Sequence, residues 1–166
     1  MSNKDKKFSE YRYEGLHRAM PIILVAVALF IELCFFLEDM GILGKAVSGV
    51  MLGLFSFGAY LLPILIVIHA IFYREDIERG RMLSRVIFSI VLLLIFASAI
   101  CTFGHLDGNV VFDPAKSYTD GQARHDGGFL GNLIAFALIK IVGVPGYFII
   151  AGAVIAIYAT YVIARD

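Results

Sequence analysis

Gly41-Ile42-Leu43-Gly44 opens one long apolar stretch, and Gly128-Phe129-Leu130-Gly131 opens a second, 87 positions later. Each second glycine is followed, sixteen residues on, by a tyrosine, Tyr60 or Tyr147. Gly58-Ala59 or Pro145-Gly146 stands just before it, and apolar residues continue to Ile71 or Ile157. A separate apolar segment precedes each copy, Ala19–Leu37 in one case and Leu83–Phe103 in the other. Spacing repeated in this way sets an architecture before any single motif is weighed. It predicts an all-α membrane protein of four transmembrane helices, arranged as two similar helix pairs.

Composition points the same way. Hydrophobic residues make up 60% of the chain and charged residues 17%, with a mean hydropathy of +0.84. That is too apolar for an ordinary soluble domain. A helical span needs about 20 mostly apolar residues. The expected spans are 19–37, 46–72, 83–103 and 146–164, within a four-pass domain over 15–166 that follows a polar tail over 1–14. A backbone in lipid must satisfy its own hydrogen bonds, and runs this continuous do so as helices rather than as alternating barrel strands.

The net charge is zero, but the charges are sorted. Lys4, Lys6, Lys7, Arg12, Arg18, Arg74, Arg79, Arg81, Arg85 and Arg165 lie at the chain ends or between the second and third spans. Only Lys45, Lys116, Arg124 and Lys140 lie in the other connections, beside several acids. The positive-inside rule then puts both termini and 73–82 in the cytoplasm, with residues 38–45 and the loop 104–128 outward. The first span reads as a retained signal anchor, because Glu32-Leu33-Cys34-Phe35-Phe36 is not a small-residue cleavage site. Glu14–Met20 extends that helix inward, with Pro21 in its early turns. The outward loop, with its Gly, Asp, Asn and Pro114, reads as irregular structure.

Gly143-Val144-Pro145-Gly146 cannot continue a straight helix. Phe129–Val142 is only about 20 Å long as a helix, too short to span. It also carries Asn132 and Lys140. The reading is a short outer-leaflet helix over 129–142 ahead of the fourth pass, with Gly143, Pro145 and Gly146 as the break. The repeat predicts a similar division near Gly58 and Pro63, with a short Gly41–Phe55 element. One tilted helix over 46–72 is the rival.

Small residues recur at helical spacing: Gly49 and Gly53 in one ladder, Gly152, Ala156, Thr160 and Ala164 in another. Such faces let membrane helices approach closely. They serve either an oligomer interface or packing within the unit. Glu32 is the acid inside a span, and His69 sits near the cytoplasmic end of another. An intramembrane carboxylate suggests an ion path, and an interfacial acid is the plainer reading. Cys34 and Cys101 read as buried free thiols without metal-ligand spacing. No Walker A sequence, zinc spacing or nucleophile arrangement is visible, so no catalytic, cofactor or metal residue is assigned.

Gly41-x-x-Gly44, Gly58-Ala59-Tyr60-Leu61-Leu62-Pro63, Gly127-Gly128-Phe129-Leu130-Gly131 and Gly143-x-x-Gly146, in this order and with these loop lengths, resemble the N-terminal four-pass membrane domain of the FtsK/SpoIIIE DNA translocases. The resemblance covers roughly residues 15–165, and the short first outward turn is similar to the Gram-positive, sporulation-type members. It implies a membrane anchor at the bacterial division septum for a hexameric, ATP- and Mg-dependent motor that moves double-stranded DNA in chromosome partition. It places that motor, with every nucleotide- and DNA-binding residue, C-terminal to this chain. Membrane lipids, further copies of the chain and septal division proteins are the implied partners. The alternatives are a small transporter or channel subunit using Glu32 and His69, or a division scaffold without a motor.

Overall fold

The computed structural model describes residues 3–37, 40–78 and 80–163. The Glu38-Asp39 turn, Arg79, Ala164 and Arg165 lie outside them. The order of elements is α1 (Asn3–Phe36), α2 (Gly41–Phe55), a 3-10 turn (Ser56–Tyr60), α3 (Leu61–Glu78), α4 (Met82–Gly104), α5 (Pro114–Gln122) and α6 (Gly128–Ile163). No strand occurs among the described residues. Four helical stretches are long and apolar enough to cross a bilayer: Arg18–Phe36, Gly41–Tyr73, Met82–Gly104 and Gly128–Tyr161. The fold is an all-α four-pass membrane domain. α1 packs on α3 and α4 packs on α6, so the two halves of the sequence repeat are two helix pairs.

α1 continues through the polar tail, and Pro21 therefore lies in its interior rather than in its first turns. Proline there removes one backbone donor and leaves the carbonyl four residues earlier without its intrahelical bond.

The stretch 46–72 is not one helix. α2 ends at Phe55, and Ser56 takes φ 50°, ψ −131°, which no α-helix accommodates. A 3-10 turn then leads into α3. Gly58 lies inside that turn without a positive φ. Its missing side chain serves close packing instead, since a Cβ there would lie 2.9 Å from Ala97 Cβ. Pro63 is the third residue of α3, in the first turn, where a missing N–H costs nothing.

The break in α6 falls at Gly143, with φ 73° and ψ 173°. That region of backbone space is open essentially to glycine alone. Pro145 follows at the start of the second segment, where its fixed φ suits a helix start. Gly146 is a packing glycine: a Cβ there would sit 2.7 Å from Val142 Cβ.

The loop 104–128 is not wholly irregular, because it contains α5. Asp113 caps that helix, its carboxylate accepting from the N–H groups of Ala115 at 3.1 Å and Lys116 at 3.2 Å, and Pro114 occupies the first helical position. An Asp cap followed by proline is a strong local start signal.

Three clusters make the interior. Ile95, Cys101, Ala135, Ile139, Tyr147 and Ala151 join α4 to both parts of α6. Leu65, Leu93 and Tyr158 join α3, α4 and α6. Phe35, Leu52 and Ala59 join α1 to α2 and the 3-10 turn.

Candidate functional site

Several glycines form a tight junction around Ala97 of α4, at the end of the bundle that carries α5. Ala97 is fully buried. A Cβ on Gly131 would lie 2.7 Å from the Ala97 carbonyl oxygen, and one on Gly127 would lie 2.6 Å from the same atom. Gly58 meets Ala97 from the 3-10 turn. Real Cβ atoms do not come this close to backbone, so each of these positions brings two main chains nearer than any side chain permits. Gly128 adds a dihedral demand, with φ 75° and a would-be Cβ 2.8 Å from the Leu54 carbonyl. Gly121 of α5 closes the set against Gly128 and the carbonyls of Leu52 and Gly53.

α5 is held down on α2 by the first small-residue ladder. A Cβ on Gly53 would be in hard clash with the Tyr118 ring at Cε2. The Tyr118 hydroxyl donates to the Gly49 carbonyl at 3.4 Å, and Gln122 Nε2 donates to the same oxygen at 3.1 Å. Gly49 and Gly53 thus pack within the unit. Arg124, just past α5, donates from Nη2 to the Phe35 carbonyl at 3.2 Å and lies 5.8 Å from the Tyr60 ring centre. The segment between α4 and α6 is consequently tied to α1 and α2 as well.

The second ladder is placed differently. Gly152, Ala156 and Thr160 are exposed on α6, and a Cβ at Gly152 would have nothing within 4 Å. The Thr160 hydroxyl turns inward, donating to the Ala156 carbonyl at 2.8 Å. This leaves a smooth apolar face on the fourth pass.

The repeated tyrosines diverge. Tyr147 is fully buried, with its hydroxyl 2.8 Å from Ser98 Oγ and 3.0 Å from the Ile95 carbonyl, to which it donates. Tyr60 is half-buried among Phe35, Phe36 and Phe57. Of the other patterned glycines, Gly41 takes φ 67° at the start of α2, and Gly44 is buried beneath Met40 and Cys34.

The polar residues of the spans form no relay among the described residues. Glu32 is half-buried one turn before the end of α1 and has no ion-pair partner there. His69 Nδ1 donates to the Leu65 carbonyl at 2.7 Å, while its Nε2 has no hydrogen-bond partner among the described residues. Lys140 is exposed, with its Nζ 4.5 Å over the Phe136 ring. Arg85 was legible only as one more basic residue at a span boundary. The structure buries it in the first turn of α4, 4.5 Å from the Phe72 ring centre and 5.9 Å from that of Tyr161. A desolvated cation–π contact stabilises by about 2 kcal/mol, and this one joins α3, α4 and α6 at the end away from α5.

The family model for the 4TM region of DNA translocase FtsK/SpoIIIE matches residues 35–166. A protein described as DNA translocase FtsK, from Caldanaerobacter subterraneus subsp. tengcongensis, is 28% identical over 142 residues. That alignment takes in 82% of this chain and 20% of the relative, so the chain spans about a fifth of the relative's length. No solved structure matches. The match begins at Phe35 and takes in α2 to α6, the Ala97 junction and all of its glycines; the chain belongs to the 4TM-region family of the FtsK/SpoIIIE DNA translocases.

Proposed function

We propose that this domain anchors a DNA-translocating motor in the bacterial plasma membrane and gathers its subunits at the division septum, during division or sporulation. The observation that carries the reading is the family match over residues 35–166, on a domain whose polar residues form no pathway among those described. The motor, with its ATP, Mg and double-stranded DNA, lies outside these 166 residues. The domain's own work is mechanical: it holds a fixed point in the bilayer against which a motor pulls. Both termini face the cytoplasm and the α5 end faces outward in this reading, which the charge sorting supports.

The exposed Gly152–Ala156–Thr160 face supports self-association, since helices lacking bulky side chains on one stripe approach closely in lipid. The test introduces Gly152→Leu and Ala156→Leu together and measures crosslinking between copies in native membranes, alongside septal focus formation by a fluorescent full-length translocase. Loss of crosslinked oligomers with insertion intact supports assembly through this face. Unchanged crosslinking overturns that part of the reading. Unchanged septal foci after deletion of residues 15–163 overturn the anchor itself.

A further inference from the structure

We propose that Cys101, His105 and Asp126, completed by the amide oxygen of Asn132, bind a zinc-class divalent cation at the α5 end of the bundle. One ligand-type atom from each of Cys101, His105 and Asp126 lies within 4.8 Å of the others. Cys101 and His105 are four residues apart, so the helical turn at the end of α4 sets them on one face. Asp126 comes from the segment before α6, and Asn132 from the first turns of α6.

The Asn132 observation is independent of the first three residues. Asn132 is 4% exposed, and its Oδ1 has no hydrogen-bond partner among the described residues. A Cβ built on Gly127 would lie 2.9 Å from that oxygen and 3.0 Å from Cys101 Cβ, so the bare Gly127 backbone lets the oxygen and the cysteine come close together. A buried amide oxygen without a donor is costly to leave there. A cation supplies what it lacks.

The surrounding hydrogen bonds orient the donors. His105 Nδ1 lies 3.1 Å from the Cys101 carbonyl, which can only accept, so the proton is on Nδ1 and the lone pair on Nε2. The Asp126 carboxylate accepts from the Gly127 N–H and from Asn132 Nδ2, both at 2.7 Å. Such contacts from carbonyls and amides hold metal ligands in place in known sites. A thiolate, an imidazole, a carboxylate and an amide oxygen suit a borderline-soft ion in tetrahedral geometry rather than Mg2+ or Ca2+. Zinc bonds of about 2.0–2.3 Å require only a modest closure of the trio. On binding, the Cys101 S–H bond is replaced by an S–metal bond, and its proton leaves to solvent. The bound ion would tie the end of α4 to the start of α6, beside the glycine junction.

The spacing of the two cysteines hid this group, because the partners of Cys101 are a histidine one turn on and two residues from the far side of the outward loop, at the start of α6.

The experiment uses the full chain in detergent micelles with Cys34→Ser, which leaves Cys101 as the single thiol. Co2+ is the probe. A thiolate on tetrahedral Co2+ gives near-ultraviolet charge-transfer and intense visible bands. Stoichiometric appearance of these bands, their loss on adding Zn2+ and their persistence in excess Mg2+ are expected. Asp126→Asn should weaken Co2+ binding by at least roughly tenfold, the loss seen even for outer partners of metal ligands. As a measurement needing no substitution at the site, Zn2+ should raise the melting temperature, while Mg2+ does not. Absence of the charge-transfer band together with a melting temperature unchanged by Zn2+ would overturn the proposal and leave the group a hydrogen-bonded polar cluster.

Discussion

Gly131→Ala measures how closely α6 must approach α4 within the second helix pair. The added methyl carbon would stand 2.7 Å from the Ala97 carbonyl oxygen, 2.8 Å from its carbon and 3.2 Å from its Cβ. Two of these are main-chain atoms of α4, which cannot rotate away. Moving α4 back would loosen Gly58 and Gly127 as well, since both press on the same residue. Forcing one carbon into a packed interior costs about 1–3 kcal/mol. Alanine also favours a helix over glycine by about 1 kcal/mol, which partly conceals that cost. Gly152→Ala supplies the correction, because it lies in the same helix with nothing within 4 Å of the new methyl. Subtracting its effect from that of Gly131→Ala cancels the propensity and leaves the steric cost, about 1–3 kcal/mol of destabilisation. Reversible denaturation of both variants in mixed micelles, at a dilution where the chain is monomeric, gives the two values. Equal stability of Gly131→Ala and Gly152→Ala would refute the close-approach argument for the junction.

Two further outcomes are expected. Reporter fusions at Thr119 should read as outside and at Glu78 as cytoplasmic, and a cytoplasmic Thr119 would reverse the orientation proposed from the charges. Glu32→Gln should leave insertion, localisation and chromosome transfer unchanged, because Glu32 has no ion-pair partner among the described residues; loss of transfer by a protein that still inserts and accumulates would instead indicate an ion path.

What was legible in the sequence followed from the bilayer's demands. Four apolar runs of sufficient length announce four passes, and glycine beside proline announces a break. What was not legible depended on partners distant in sequence. Serine carries no warning of a positive φ, so the break at Ser56 was assigned to Gly58, whose role is contact with Ala97. The Gly49/Gly53 pair advertised a close approach but could not name its partner, which is Tyr118 and Gln122 of α5. α5 itself was signalled by Asp113-Pro114, a cap and first-turn pair obscured by the glycines and asparagine around it. Arg85 looked like a residue at the water boundary, and only the rings of Phe72 and Tyr161 make it an interior one.

The two copies of the repeat reach one arrangement through different chemistry. In the first, Ser56 bends the chain with a positive φ and a 3-10 turn; in the second, Gly143 does so with a backbone angle that only glycine takes easily. Either break leaves a short helix at the α5 end and a long span beyond it. The short helices, α2 and the first part of α6, are the ones that meet at the glycine junction, and α5 lies across them. Gly58, Gly127 and Gly131 press on Ala97 there, and Gly128 on Leu54. Tyr60 and Tyr147, equivalent in spacing, are free to differ because they lie to the side of that place, one among aromatic rings and one on a buried serine. On the proposed anchoring role, the consequence is mechanical: load entering at the end of α6 would reach α4, and then the first helix pair, through close contacts that cannot be relieved by turning a side chain.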